Sequence, residues 1–252
     1  MSIFLLKFLG AAAGIASMTA AIERNDLDEA ARQGALAGPA VIEQALGSKV
    51  RDTVLAGIVA APAAFATEDR AELLVPLAKV AAGPDRRTAI PAARAARVIA
   101  ERLATQERPD DLAAADFEAW RDAYEQLALA NGRWIEVRVA ALETAAALGH
   151  AGDPTALGFD LAKVMADPDP ALRVAALELI PRPTARALYA VIVPALGDRN
   201  GRVAVAAAEA LCADAGDDPA AVKAALGQAG AVQVKAIAKA HPAANDLARC
   251  IR

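Results

Sequence analysis

The sequence predicts an all-α fold, an α-solenoid of about six stacked antiparallel helix pairs with helical caps at both ends. Three observations predict it. Hydrophobic residues make up 56% of the 252-residue chain and aromatics only 4%, so the apolar content is mainly Ala, Val, Leu and Ile. Alanine has the highest helix propensity and lets helices approach closely, whereas a β-sandwich needs alternating runs rich in Thr, Tyr, Phe and Trp. A second observation is self-similarity: a unit of apolar helix, short turn rich in Asp, Gly or Pro, and second helix recurs along the chain. The third is punctuation. Asp153-Pro154, Asp169-Pro170 and Asp218-Pro219 offer an N-cap acceptor before a proline at the first helical position, where its missing N–H costs nothing. Gly38-Pro39 and Gly83-Pro84 punctuate in the same way.

Residues 1–38 come first. Met1 to Ala21 is an apolar run interrupted by Lys7, Gly10 and Gly14. It reads either as a secretory signal or as a helix covering the open end of the stack, followed by a helix capped at Asn25-Asp26 and running to Ala37. Lys7 argues against a spanning helix. The covering helix is the favoured reading, so the expected location is cytoplasmic, with export as the alternative if residues 1–21 act as a signal. The repeats occupy 39–241. Copies stand at 41–60, 73–100, 124–149, 161–180, 191–211 and, more weakly, 221–240. Aligning them puts Arg51, Arg87, Arg138, Arg173, Arg202 and Lys235 at one position. Most successive spacings fall at roughly the mid-thirties, and a longer gap before Arg138 marks an insertion around 105–118. Pro91 inside its second helix and the sparse polar residues of 221–240 make those two copies the least regular. Residues 242–252 close the stack as a C-terminal cap, and the whole of 1–252 is expected to be one domain. Each pair leaves an apolar stripe, such as Val174, Leu177, Leu179 and Ile180, that only a neighbour can bury.

The string DPDPALRVAALELI closely resembles the HEAT-repeat signature: an Asp/Pro turn, an apolar residue followed by Arg, then alanines at the interhelical contact. Similar strings are VRDTVLAGI, VRVAALETAAALG and GRVAVAAAEAL. The resemblance covers roughly 39–241. It implies a ladder of polar contacts between neighbouring units, to which Arg51, Arg138, Asp169, Arg173, Asp198 and Arg202 would contribute. It also implies a non-enzymatic protein-binding scaffold or adaptor, either alone or as a subunit of a larger assembly. The alternative is a HEAT-like enzyme or enzyme subunit acting on nucleic-acid bases or on a protein-bound cofactor.

The residues present argue against most catalysis. Serine occurs only at Ser2, Ser17 and Ser48, and histidine only at His150 and His241. No nucleophile elbow surrounds Ser48, and Gly47-Ser48-Lys49 lacks the first glycine of a phosphate loop, with Ile42 in its place. Two histidines without paired ligand spacing make no zinc site, and both stand at helix ends, where a cation meets the dipole favourably. Asp214, Asp217 and Asp218 do not match a calcium loop and cap the next helix instead. No enzyme activity and no cofactor are expected. Cys212 and Cys250 could form one bond in an oxidising compartment; buried free thiols are the expectation.

Binding surfaces are where the sequence is more informative. The net charge of −4 argues against bulk affinity for nucleic acid, while a local basic face survives inside that average. Arg86, Arg87, Arg94, Arg97, Arg102 and Arg108 cluster against only Asp85, Glu101 and Glu107, and Arg87, Arg94 and Arg97 share one broad helical face. Phe117, Trp120 and Tyr124 share another face at i, i+3 and i+7, and Trp134 follows. Such a stripe packs a core or anchors a partner. These seven residues, Arg87, Arg94, Arg97, Phe117, Trp120, Tyr124 and Trp134, are the candidate contacts for a protein or peptide partner.

Overall fold

The computed structural model describes residues 2–64, 67–105, 114–153, 155–181, 186–214 and 219–241. Among them the secondary structure is helical throughout, without a strand. The sequence anticipates one continuous domain. Packing divides the chain into two compact units, Met1–Gly152 and Asp153–Arg252. The division falls where Asp153 turns back on itself: its carboxylate accepts from the N–H and hydroxyl of Thr155, at 2.8 Å each. Asp153 therefore closes a turn rather than opening a helix, and the next helix waits for Asp160.

In the first unit, α1 (Ser2–Glu23) and α2 (Leu27–Ala37) form a hairpin. Asp26 caps α2 by accepting from Glu29 N–H at 3.0 Å, the boundary anticipated from sequence. Three further pairs follow: α3 (Pro39–Leu46) with α4 (Arg51–Ala60), α6 (Leu74–Ala81) with α7 (Arg86–Thr105), and α8 (Ala114–Leu129) with α9 (Ile135–Gly152). A short α5 (Thr67–Glu72) precedes α6. Second helices pack on second helices, α4 on α7 and α7 on α9, and first on first, α3 on α6 and α6 on α8. Small side chains permit this. Ala89, Ala92, Ala93, Ala96 and Ala100 of α7 are buried, as are Ala140, Ala141 and Ala145 of α9. Leu73, Leu74, Leu77, Ile99, Leu142 and Leu148 supply the bulk. The inner half of α1 belongs to the same core: Met18 and Ala21 are buried, and Thr19 donates to the Thr53 hydroxyl at 3.2 Å. No described helix is long and apolar enough to cross a membrane.

The second unit is built from α10 (Leu161–Met165), α11 (Pro170–Glu178), α12 (Tyr189–Ala195), α13 (Gly201–Asp214) and α14 (Pro219–Ala240). Asp160 caps α10, and Asp169 caps α11 with Pro170 behind it. Here too α11 packs on α13, and α10 on α12. Gly227 breaks α14 with φ 57°, a left-handed conformation that glycine adopts without steric cost. The copy at 221–240 is thus a helical pair with the shortest of turns, irregular as anticipated. Its counterpart at 73–100 is more regular than anticipated, because α7 runs unbroken through Pro91. Cys212 is disulfide-bonded, which corrects the expectation of free thiols. Cys250, the cap at 242–252, Asp217 and Asp218 lie outside the described residues.

The polar ladder is only partly realised. Arg173 meets both carboxylate oxygens of Asp198 at 3.0 Å and donates to the Asp167 carbonyl at 2.7 Å, joining the α10–α11 turn to the α12–α13 turn. Arg138 is buried and donates from Nε to the Ala128 carbonyl at 2.7 Å, so it also reaches back to the end of its pair's first helix. The remaining three depart from the expectation. Arg51 stands in solvent beside its neighbour Asp52. Arg202 is exposed, with its backbone N–H on the Asn200 side chain. Asp169 spends its carboxylate on the helix cap. A guanidinium gains a ladder role only where a carbonyl or carboxylate of the turn lies within its reach, and the turns differ in length.

Candidate partner-binding face

The site is built on α7 and the start of α9. Successive residues of a helix turn by about 100°, so α7 can be read as a wheel. Thr88, Ala89, Ala92, Ala93, Ala95, Ala96, Ile99, Ala100 and Leu103 fill its buried side. Arg86 and Arg97 fall together at one edge of the exposed arc, and Arg102 at the other, about 160° away. Contacts fix both edges. Arg86 Nη2 bonds Glu136 Oε1 at 2.6 Å, and Arg97 Nη1 bonds Glu143 Oε2 at 2.9 Å, so that edge faces α9. Arg102 donates to the Pro62 carbonyl, on the α4 side. Arg87 and Arg94 lie midway between the edges, roughly 20° apart, and both are exposed.

Pro91 sits within this arc. It has no N–H, so it cannot donate to the Arg87 carbonyl. Half-exposed Ile90 and Val98 complete the arc's apolar part.

At the start of α9, Trp134 is 43% exposed. The Arg86 guanidinium carbon stands 5.3 Å from its ring centroid, a cation–π arrangement. The Trp134 carbonyl accepts from Val137 and Arg138 N–H at 3.0 and 3.1 Å and so opens α9. Glu136, in that first turn, is favoured by the helix dipole. Its own backbone N–H, then Arg86 and Arg94, hold its carboxyl below the usual range. The Glu143 carboxylate raises the Arg97 guanidinium above its ordinary value despite partial burial. Indole, guanidinium and carboxylate thus hold one another in a fixed stack at the α9 edge.

Of the seven candidate contacts, the structure brings Arg87, Arg94, Arg97 and Trp134 to this surface. Phe117, Trp120 and Tyr124 are a correction: they are 5%, 9% and 1% exposed and cannot meet a partner. They lie in α8, the first helix of its pair, whose inward face packs on α9 and α6. Phe117 and Trp120 meet edge to face at 5.4 Å. Tyr124 donates its hydroxyl to the Leu74 carbonyl at 2.7 Å, and burial pushes its phenol well above the ordinary value. Tyr124→Phe is therefore expected to lower the stability of the first unit by about 1–2 kcal/mol in denaturant melts, without effect on binding. An unchanged midpoint together with lost binding would return Tyr124 to the partner surface. Of the expected insertion around 105–118, residues 106–113, with Arg108, lie outside the described residues.

Glu136 and Glu143 were missed from sequence. One signal was available: aligning the repeat arginines puts Arg86 opposite Val137, one residue from Glu136. Among the described residues, no three His, Cys, Asp or Glu side chains are grouped to hold a metal ion. Chemically the face offers positive charge, an indole and aliphatic surface. No known family model, curated protein or solved structure matches this chain.

Proposed function

We propose that the chain is a HEAT-like helical-repeat scaffold, an α-solenoid that binds a protein partner along the α7–α9 face of its first unit and carries out no chemistry of its own. The observation that carries the reading is the exposed arc of α7. It presents two unpaired guanidiniums, half-exposed aliphatic side chains and the Arg86–Trp134 stack on one side of a rigid, alanine-packed helix. Arginine and tryptophan are the residue types that dominate binding hot spots. The repeat reading is supported by pairs that pack second helix on second helix in both units and by Arg138 and Arg173, which each tie a second helix to the end of the first.

The reading is tested with a photo-crosslinking amino acid placed at Val98, within the arc, and at Glu118, on the exposed side of α8. Crosslinks to a discrete partner are expected from position 98 and not from 118 in the native cell. Crosslinking from both positions alike, or from 118 alone, would remove the α7–α9 face as the binding surface.

A further inference from the structure

Two guanidiniums of α7, Arg87 and Arg94, form no ion pair with a described residue. Arg86 is held by Glu136 and Trp134, Arg97 by Glu143 and Glu101, and Arg102 by the Pro62 carbonyl. Neither Arg87 nor Arg94 is within ion-pair distance of a described carboxylate; the Arg87 backbone N–H bonds the Asp85 carboxylate, and Arg94 acts on Glu136 only at longer range. The two arginines stand two helical turns apart, about 10 Å along the axis, with Ile90 and Pro91 between them.

This spacing selects among anions. A phosphate monoester is recognised by donors that converge on one group, whereas these two arginines are rooted two helical turns apart. A nucleic-acid strand binds by neutralising many phosphates in succession, whereas among the described arginines of α7 only Arg87 and Arg94 lack a side-chain hydrogen bond or ion pair, beside Glu101, Glu136 and Glu143, in a chain of net charge −4. Two separate monoanions at helical spacing suit the geometry. An apolar side chain between them would rest on Ile90 and Pro91.

We propose that the occupant of this face is an acidic amphipathic helix of a partner protein. Two of its carboxylates, two turns apart, pair with Arg87 and Arg94, and its apolar side lies on Ile90 and Val98. This inference rests on the α7–α9 face being the binding surface.

The probe is a fluorescein-labelled, alanine-based helical peptide with two glutamates two turns apart and a leucine between them. Its twin carries glutamines instead. Fluorescence polarisation at low salt with the full chain is expected to show binding of the glutamate peptide, weakening as salt is added. The double variant Arg87→Glu/Arg94→Glu should bind it about tenfold or more weakly. Lys79→Glu/Arg121→Glu makes the same charge change on α6 and α8 and should bind like the unaltered chain. Circular dichroism checks the fold of each variant, and Arg87→Gln/Arg94→Gln replaces the reversal if its helix content falls. Equal binding of the twin, equal loss in both double variants, or preference for a single-stranded oligonucleotide through Arg87 and Arg94 overturns the proposal. If position 98 crosslinks a partner while the peptide fails, the face stands and the acidic helix falls. If both fail, both readings fall.

Discussion

Gly34→Val is expected to destabilise the first unit by about 3 kcal/mol or more, the upper end of what an overfilled core costs. A Cβ at position 34 would stand 2.1 Å from the Ala60 Cβ, 2.9 Å from the Met18 sulfur and 3.3 Å from the Ala60 Cα. Two of these neighbours are backbone or bound directly to it, so the clash cannot be relieved by turning a side chain. It forces α2 away from α4 and loosens α1, whose Met18 is fully buried beside them. A mid-helix glycine costs roughly 1 kcal/mol of helix stability against alanine. Here that cost is offset by the close approach of two helices. Urea melts of the first unit check the expectation. Ala60→Gly in the same chain should restore part of the loss, because it removes the nearest atom. An unshifted midpoint in the single variant would mean that α2 and α4 do not approach as described.

In the second unit the largest expected effect follows from Asp198→Ala, about 2–3 kcal/mol. The Arg173 and Asp198 side chains are only 12% and 15% exposed, and removing the carboxylate leaves a mostly buried guanidinium with only the Asp167 carbonyl. Burial alone would raise the Asp198 carboxyl. The Arg173 guanidinium and the Asn200 N–H outweigh it and hold the group below the ordinary aspartate value of 3.8. The sign follows. A carboxyl whose folded value is depressed contributes its full stability above the unfolded value, and loses it as pH falls through the folded one. The difference between the unaltered chain and Asp198→Ala should thus be constant near neutrality and shrink below about pH 4. Hydrogen exchange over α10–α13 reads it directly. A gap that persists unchanged into acid would show that the ion pair is not its source.

The same two sites show how far local sequence reaches. Asp26 and Asp169 were legible as helix caps because a cap depends on residues two or three positions away. The Arg173–Asp198 contact was not legible: local spacing pairs Asp198 with Arg202, whereas the carboxylate meets Arg173, 25 positions earlier. Asp153 looked like Asp169 in sequence and formed a different turn, because no helix follows it directly. The aromatic stripe of α8 was legible as a stripe. Its side of the chain was not.

The amino-acid sequence by itself determined that this protein is helical, where most of its helices pair, and which residues share each helical face, since 3.6-residue periodicity, capping and proline placement act within a few residues of chain. Tertiary structure alone decided which faces are covered. It buried Phe117, Trp120 and Tyr124, left Trp134 under Arg86 in solvent, engaged Arg86, Arg97 and Arg102, and left Arg87 and Arg94 unpaired. Coverage depends on the helix that arrives opposite, and that helix comes from a part of the chain with its own, unrelated local pattern.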